Sequence, residues 1–145
     1  MKILMVCLGN ICRSPIAHGI MEQLIREEEL DWEVDSAGTS SIHKGSAPDK
    51  RSIAVAKKYG IDISAQRSRQ FSQNDFAHYE HIYAMDKDNF AAILSLARDE
   101  EDKKRVSLLV KDTNVPDPYY DDSLFEPVYH MIDQACRSLI KDIRS

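Results

Sequence analysis

Cys7 and Arg13 bracket five residues in the stretch Val6-Cys7-Leu8-Gly9-Asn10-Ile11-Cys12-Arg13-Ser14-Pro15. A thiolate is a nucleophile, and a guanidinium is a planar fork that matches two oxygens of a phosphate. Held at opposite ends of one short loop, the two groups suit attack on an oxyanion ester. Curling Leu8 to Arg13 aims successive N–H groups at one centre, a nest for the non-bridging oxygens of a phosphate. Gly9 permits a backbone shape that other residues resist, and Asn10 tolerates a left-handed conformation. The flanks place this loop between a strand end and a helix start. Lys2 to Val6 reads as a strand, while Ser14 offers a hydroxyl N-cap and Pro15 costs no amide bond in a first turn. Helix-start amides are unpaired donors and the dipole adds about half a positive charge, so an anion is held there and the thiolate form of Cys7 is favoured.

A thiolate attacking phosphorus needs its leaving oxygen protonated, because an unprotonated oxyanion leaves poorly without help. An acid must therefore approach from the side opposite Cys7. Asp117 lies in Val115-Pro116-Asp117-Pro118, where Pro118 pushes it towards an extended conformation and Pro116 stiffens the approach. Taken alone, Asp117 reads equally as an ordinary turn aspartate.

The stretch Cys7 to Pro15, its place near the amino terminus, and Asp117-Pro118-Tyr119-Tyr120 downstream together resemble the signature of the low-molecular-weight protein tyrosine phosphatases. The resemblance runs from Lys2 to the last helix. It implies one phosphatase domain over residues 1–145, without a cofactor, hydrolysing phosphotyrosine in proteins and small aryl phosphates. In that reading Cys7 is the nucleophile and carries a phosphocysteine. Arg13 and the loop residues Leu8, Gly9, Asn10, Ile11, Cys12 and Ser14 hold the phosphoryl group, and Asp117 acts as acid and then as base. The resemblance further implies that Tyr119 and Tyr120 wall the cleft, that Asn10 bonds to Ser36, and that Ile42 takes part in substrate contact.

Several of these residues keep two readings. Ser14 caps the helix and also donates to the Cys7 sulfur. Asp86 caps the helix that begins near Lys87, or orients Arg13. Cys12 is a packing residue, or the partner of Cys7 in a disulfide that in family members is a reversible oxidation shield. Ile42 departs from the aromatic residue usual in its loop, and the neighbouring His43 is expected to face solvent. Gln66 stands near the position where some members carry a histidine that supports the loop asparagine. Cys136 falls on an apolar helix face and reads as core. No His, Cys and carboxylate cluster has ligand spacing, so no metal is expected.

Chain-wide properties narrow the class. A chain of 145 residues suits one domain that buries about two thirds of its unfolded surface. With 30 % charged residues and a net charge of −5, a general nucleic-acid binder is disfavoured. Three cysteines, two of them in one loop, make no secreted disulfide framework, and a cytoplasmic location is expected. The apolar run ending at Leu8 is too short for a signal peptide or membrane span. The expected partner is a phosphotyrosine protein, a tyrosine kinase among the candidates, with no nucleic acid, no membrane, and a monomer or weak dimer.

The elements that position the loop follow from periodicity. Ile16, Ala17, Ile20, Met21, Leu24 and Ile25 predict a helix from Ser14 to Glu28. Trp32 to Ser36 alternates as a strand that breaks at Gly38, and 39–47 reads as loop. Ser46 and Pro48 open a second helix that Gly60 closes, and 61–72 is irregular. His81 to Met85 is a strand, and Phe90 to Ala97 continues as helix. The mixed charges from Arg98 to Arg105 read as a solvated helix end and turn. Val106 to Val110 is an apolar strand suited to the middle of a sheet. Val128 to Ile143 is an amphipathic helix whose start is either a Ser123–Glu126 capping box or Pro127 at the first position. This alternation predicts an α/β domain, a Rossmann-like four-stranded parallel sheet with helices on both faces and a phosphate-binding loop after the first strand.

Three other functions compete. Arsenate reduction would use the same cradle but needs further cysteines on a mobile segment. The resemblance places threonine at the Ile11 position in phosphoarginine phosphatases, and the bulkier Ile11 favours an aryl substrate. A phospho-binding module without catalysis would be expected to lack the nucleophile or the acid.

Overall fold

The alternation of Ile3 to Cys7 between two apolar layers organises the molecule, and the computed structural model describes residues 1–144 around it. Strand β1 (Lys2–Cys7) is followed by α1 (Arg13–Glu27), β2 (Glu33–Gly38), α2 (Lys50–Lys58), α3 (Asp75–His78), β3 (His81–Ala84), α4 (Lys87–Leu94), α5 (Glu100–Lys104) and β4 (Val106–Leu108). A 3₁₀ turn (Asp122–Leu124) leads into α6 (Phe125–Arg144). All pairings are parallel and the strand order is β2-β1-β3-β4. Ile3, Met5 and Cys7 pack with Ile16 and Ile20 of α1, Val55 of α2 and Ile132 of α6. Leu4 and Val6 pack on the other side with Phe76 of α3, Ile82 of β3 and Ile93 of α4. This is the expected four-stranded parallel sheet with helices on both faces. Because the chain turns from β1 to β2 on one side and reaches β3 on the other, a crevice opens beyond the carboxyl end of β1, where such sheets bind ligands. Cys7 is the last residue of that strand.

The element boundaries depart from the sequence reading at instructive places. Ser14 is the second residue of α1 rather than its N-cap, which is Cys12 without a side-chain cap. Its hydroxyl is taken by Cys7 and Asn10 instead. Helix α2 opens at Asp49, which accepts the Arg51 amide at 2.8 Å, so Ser46 and Pro48 lie upstream of it. Gly60 does follow its end, at φ +86°. Strand β4 lies at the sheet edge, not the middle. Its run reads as apolar because Leu109 and Val110 reach the core after the strand has ended. Neither proposed start of α6 holds, since Asp121 caps the preceding turn by accepting from Ser123 N at 3.0 Å. Within 98–105, α5 forms over a buried Asp102 that pairs with Arg98 at 2.8 Å. Among the described residues no helix is long and apolar enough to cross a membrane.

Candidate active site

The loop between β1 and α1 is held open from outside through its carbonyls. Cys7 O accepts from Thr39 N at 2.9 Å, Leu8 O from Ser40 N at 2.8 Å, and Ile11 O from Asp49 N at 2.8 Å. Gly9 O accepts from Ser68 Oγ at 2.9 Å and Cys12 O from Ser52 Oγ at 3.3 Å. In a trans peptide the carbonyl and the next N–H point opposite ways. Outward carbonyls on these residues therefore turn the amides of Leu8, Gly9, Asn10, Cys12 and Arg13 to the concave side. The left-handed residue is Asn10, at φ +57°, not Gly9. Glycine at position 9 instead admits His43, whose Cδ2 would lie 2.9 Å from an added Cβ. Gly38 does the same for the loop itself, since a Cβ there would meet Leu8 O at 2.8 Å.

Side chains tighten the cradle from behind. Asn10 Nδ2 donates to Ser14 Oγ at 2.7 Å and to Ser36 Oγ at 3.0 Å, while its Oδ1 accepts from Arg69 N at 3.1 Å. With its oxygen accepting from Asn10, Ser14 has its hydrogen for the Cys7 sulfur at 3.0 Å, the Ala37 carbonyl being a longer alternative at 3.4 Å. Arg13, only 2 % exposed, donates through Nη1 to Asp86 Oδ2 at 2.6 Å and to Val115 O at 3.0 Å. Asp86 fills both of its roles, because Oδ1 caps α4 at Asn89 N, 2.7 Å away. Burial alone would weaken the Arg13 cation, but Cys7, Asp86 and Asp117 outweigh it and hold the guanidinium pKa above its ordinary value. Arg13 Nε is buried and has no hydrogen-bond partner in the protein.

Cys7, Arg13 and the loop between them form the floor of a cleft of about 320 Å³ lined by Cys7, Leu8, Gly9, Ile11, Cys12, Arg13, Ser40, Ile42, His43, Asp117, Tyr119 and Tyr120. Asp117 Oδ2 lies 3.8 Å from Arg13 Nη2, and its Oδ1 accepts from Tyr119 N at 3.1 Å. Tyr119 packs edge-on to Tyr120 at 4.9 Å and lies 6.3 Å from His43. Arg51 of α2 stacks over Tyr119 and Phe125 at 5.6 and 4.6 Å and pairs with Asp122. Tyr120 and Ile42 stand at the rim, 92 % and 83 % exposed.

The expected residues thus divide into two shells. The cleft gathers Cys7, Leu8, Gly9, Ile11, Cys12, Arg13, Ile42, Asp117, Tyr119 and Tyr120. The side chains of Asn10, Ser14, Ser36 and Asp86 lie behind it. His43 is a correction, since it is half-buried and lines the cleft instead of facing solvent. Cys7 and Cys12 are both free thiols, and burial, then Asp49 and Cys7, push the Cys12 thiol up to about 12. Gln66 turns its amide to Pro15 O at 3.1 Å. Sequence reasoning missed Thr39, Ser40, Asp49, Ser52, Ser68 and Arg69, which hold the loop, Gly38, whose missing side chain leaves room for it, and His18, whose Nδ1 lies 3.2 Å from Ser36 Oγ. Among the described residues no group of three or more His, Cys, Asp or Glu is placed to hold a metal.

Residues 2–145 match the family model for low molecular weight phosphotyrosine protein phosphatase. A human protein of that name is 36 % identical over 149 residues, covering 97 % of this chain and 94 % of its own length. A crystal structure of a protein tyrosine phosphatase from Entamoeba histolytica, with Hepes in its active site, superposes with a TM-score of 0.93. It is 37 % identical, and the match covers 99 % of this chain and 97 % of that one. The Drosophila arginine phosphatase structure also superposes at 0.93, with 31 % identity over 100 % of this chain and 99 % of that one. The chain belongs to the low molecular weight phosphotyrosine protein phosphatase family.

Proposed function

We propose that the protein hydrolyses phosphotyrosine in proteins, and small aryl phosphates, through a phosphocysteine on Cys7. The observation that carries this reading is the floor of the cleft. The Cys7 sulfur faces a hydroxyl donor, and a buried guanidinium brings an Nε with no protein partner beside inward amides. In the first step the Cys7 thiolate forms an S–P bond as the P–O bond to the phenol breaks, and Asp117 gives its proton to the departing oxygen. The inward amides and Arg13 take up the charge on the equatorial oxygens, where preformed donors cost no reorganisation. In the second step water attacks phosphorus, Asp117 takes its proton, the S–P bond breaks, and the thiolate returns to the Ser14 hydroxyl. Tyr119 and Tyr120 grip the phenyl ring, and the depth of the cleft disfavours a shorter phosphoserine.

The partner is a phosphotyrosine-bearing protein, a tyrosine kinase being one candidate, in the cytoplasm. Arsenate reduction is disfavoured by Cys136, which is fully buried on α6 against Ala17 O. The likeness to an arginine phosphatase sets phosphoarginine as the rival substrate, and Ile11, lining the cleft, fits an aryl ring better. Quench of the reaction with an aryl phosphate, followed by digestion and mass mapping, should place the phosphoryl group on Cys7. Asp117→Asn should slow turnover by about 10²–10⁴-fold and flatten the alkaline limb of kcat/KM. Phosphate mass on another side chain, unchanged Asp117→Asn kinetics, or a higher kcat/KM on phosphoarginine than on phosphotyrosine peptides would each defeat the reading.

A further inference from the structure

His18 lies on α1, one turn beyond the loop, with its side chain largely buried against β2. Its Nδ1 is 3.2 Å from Ser36 Oγ. Ser36 Oγ already accepts from Asn10 Nδ2, so its single hydrogen is free to be donated onward. A neutral imidazole with its hydrogen on Nε2 receives it at Nδ1 and turns Nε2–H towards Glu22, 3.7 Å away. The donors then run in one sense: Asn10 to Ser36 to His18 on one branch, and Asn10 to Ser14 to Cys7 on the other. Asn10 is the loop's left-handed residue, and a polar residue held in that conformation depends on its surroundings.

Resting on the phosphatase reading of the cleft, we propose that His18 is a positioning residue for the phosphoryl-binding loop, accepting the Ser36 hydroxyl hydrogen so that the Ser36 oxygen stays turned to Asn10. Protonation would reverse the link. Nδ1–H would then donate to Ser36 Oγ in competition with Asn10, and the Ser36 hydrogen would lose its acceptor. The charged groups facing the ring are Glu22 on its own helix, Asp35 of β2, whose Oδ1 lies 4.0 Å from Nδ1, and Arg69 behind Asp35. Tyr79 and Asp75 complete the cluster by binding Asp35 and Arg69. Burial, aided by Arg69, outweighs the two carboxylates and lowers the His18 pKa. The neutral ring therefore prevails at neutral pH, and the relay fails on the acid side, below the ordinary histidine value of about 6.5.

The test is the pH profile of kcat/KM on p-nitrophenyl phosphate for wild type, His18→Ala and His18→Asn, with melting curves to verify folding. His18→Ala should lose roughly three- to ten-fold, the equivalent of one hydrogen bond. His18→Asn, whose Oδ1 takes the Nδ1 place without titrating, should recover most of the loss and lack the acid-side step of the wild type. Wild-type kinetics in the alanine variant, no recovery in the asparagine variant, or a wild-type acid limb identical to that of His18→Asn would overturn the assignment. A second readout needs no variant and no turnover. Inorganic phosphate filling the loop should move the His18 titration midpoint seen by imidazole nitrogen NMR, because coupling between two sites is reciprocal. An unmoved midpoint overturns the proposal. A wild type that binds phosphate and shifts His18 but turns over no aryl phosphate sinks the catalytic reading alone.

Discussion

Two cysteines five residues apart meet opposite environments. Cys7 ends β1 with the Ser14 hydroxyl on its sulfur, beside Arg13 and the inward amides. Cys12 is buried under α2, and its thiol is pushed up to about 12, first by burial and then by Asp49 and Cys7, with the Ser52 hydroxyl pulling weakly the other way. Since the thiolate is the reactive form, the cleft should hold one reactive sulfur and one inert one at neutral pH. Iodoacetamide at pH 7.5 should alkylate Cys7, spare Cys12 and the fully buried Cys136, and be slowed at Cys7 by inorganic phosphate. No Lys or Arg separates Cys7 from Cys12, so the label must be placed by fragmenting the shared tryptic peptide. Equal labelling of the two would mean that the Cys12 thiol is not held in the way the buried contacts require.

At the scale of elements, the site depends on how helices begin. Asp49 caps α2 through Oδ1, its own amide holds the Ile11 carbonyl, and its carboxylate pairs with Arg51, which in turn stacks on Tyr119. The hydrogen bond from Arg51 keeps the Asp49 pKa below its ordinary 3.8. A carboxylate whose folded pKa is depressed stabilises the fold above its unfolded value and loses that contribution as pH falls through the folded one. Asp49→Asn keeps a capping oxygen but removes the charge, so it should cost about 0.3–1 kcal/mol at pH 7, and the gap from wild type should narrow as urea unfolding is repeated down to pH 3. A gap that does not change with pH would show that the cap acts without its charge. The same elements explain what the sequence revealed. Cys7 to Pro15 was legible because the nest, the nucleophile and the cation lie within one turn of chain. The carbonyl anchors were not, because Ser68 and Arg69 reach Gly9 and Asn10 across 59 residues. Ser14 looked like a cap because a serine before proline at a helix start has that chemistry, yet its hydroxyl is better used on the Cys7 sulfur. Val106 to Val110 looked central because an apolar run reads alike in an edge strand whose last residues turn into the core.

At the scale of the molecule, the loop backbone is fastened by the end of β2, residues 68–69 and the start of α2, and Arg13 by Asp86 and Val115 beyond β3 and β4. Helix α6 packs on the face beneath, through Val128, Ile132, Cys136 and Ile140, without supplying a group to the floor of the cleft. Stability and chemistry should therefore separate there. Ile132 is fully buried, and trimming it to alanine removes the transfer energy of three carbons and leaves a partly collapsed void, together about 3 kcal/mol. For a chain of this size that corresponds to a fall in Tm of about 10 °C. At 25 °C most molecules remain folded after such a loss. The loop carbonyls keep their partners, so Ile132→Ala should retain kcat on p-nitrophenyl phosphate within about twofold, since none of the donors that stabilise the transition state is touched. Calorimetry and steady-state kinetics on the same preparation decide it. If kcat falls with Tm, the docking of α6 sets the shape of the cleft through Phe125 and Arg51, and the scaffold is part of the active site rather than its support.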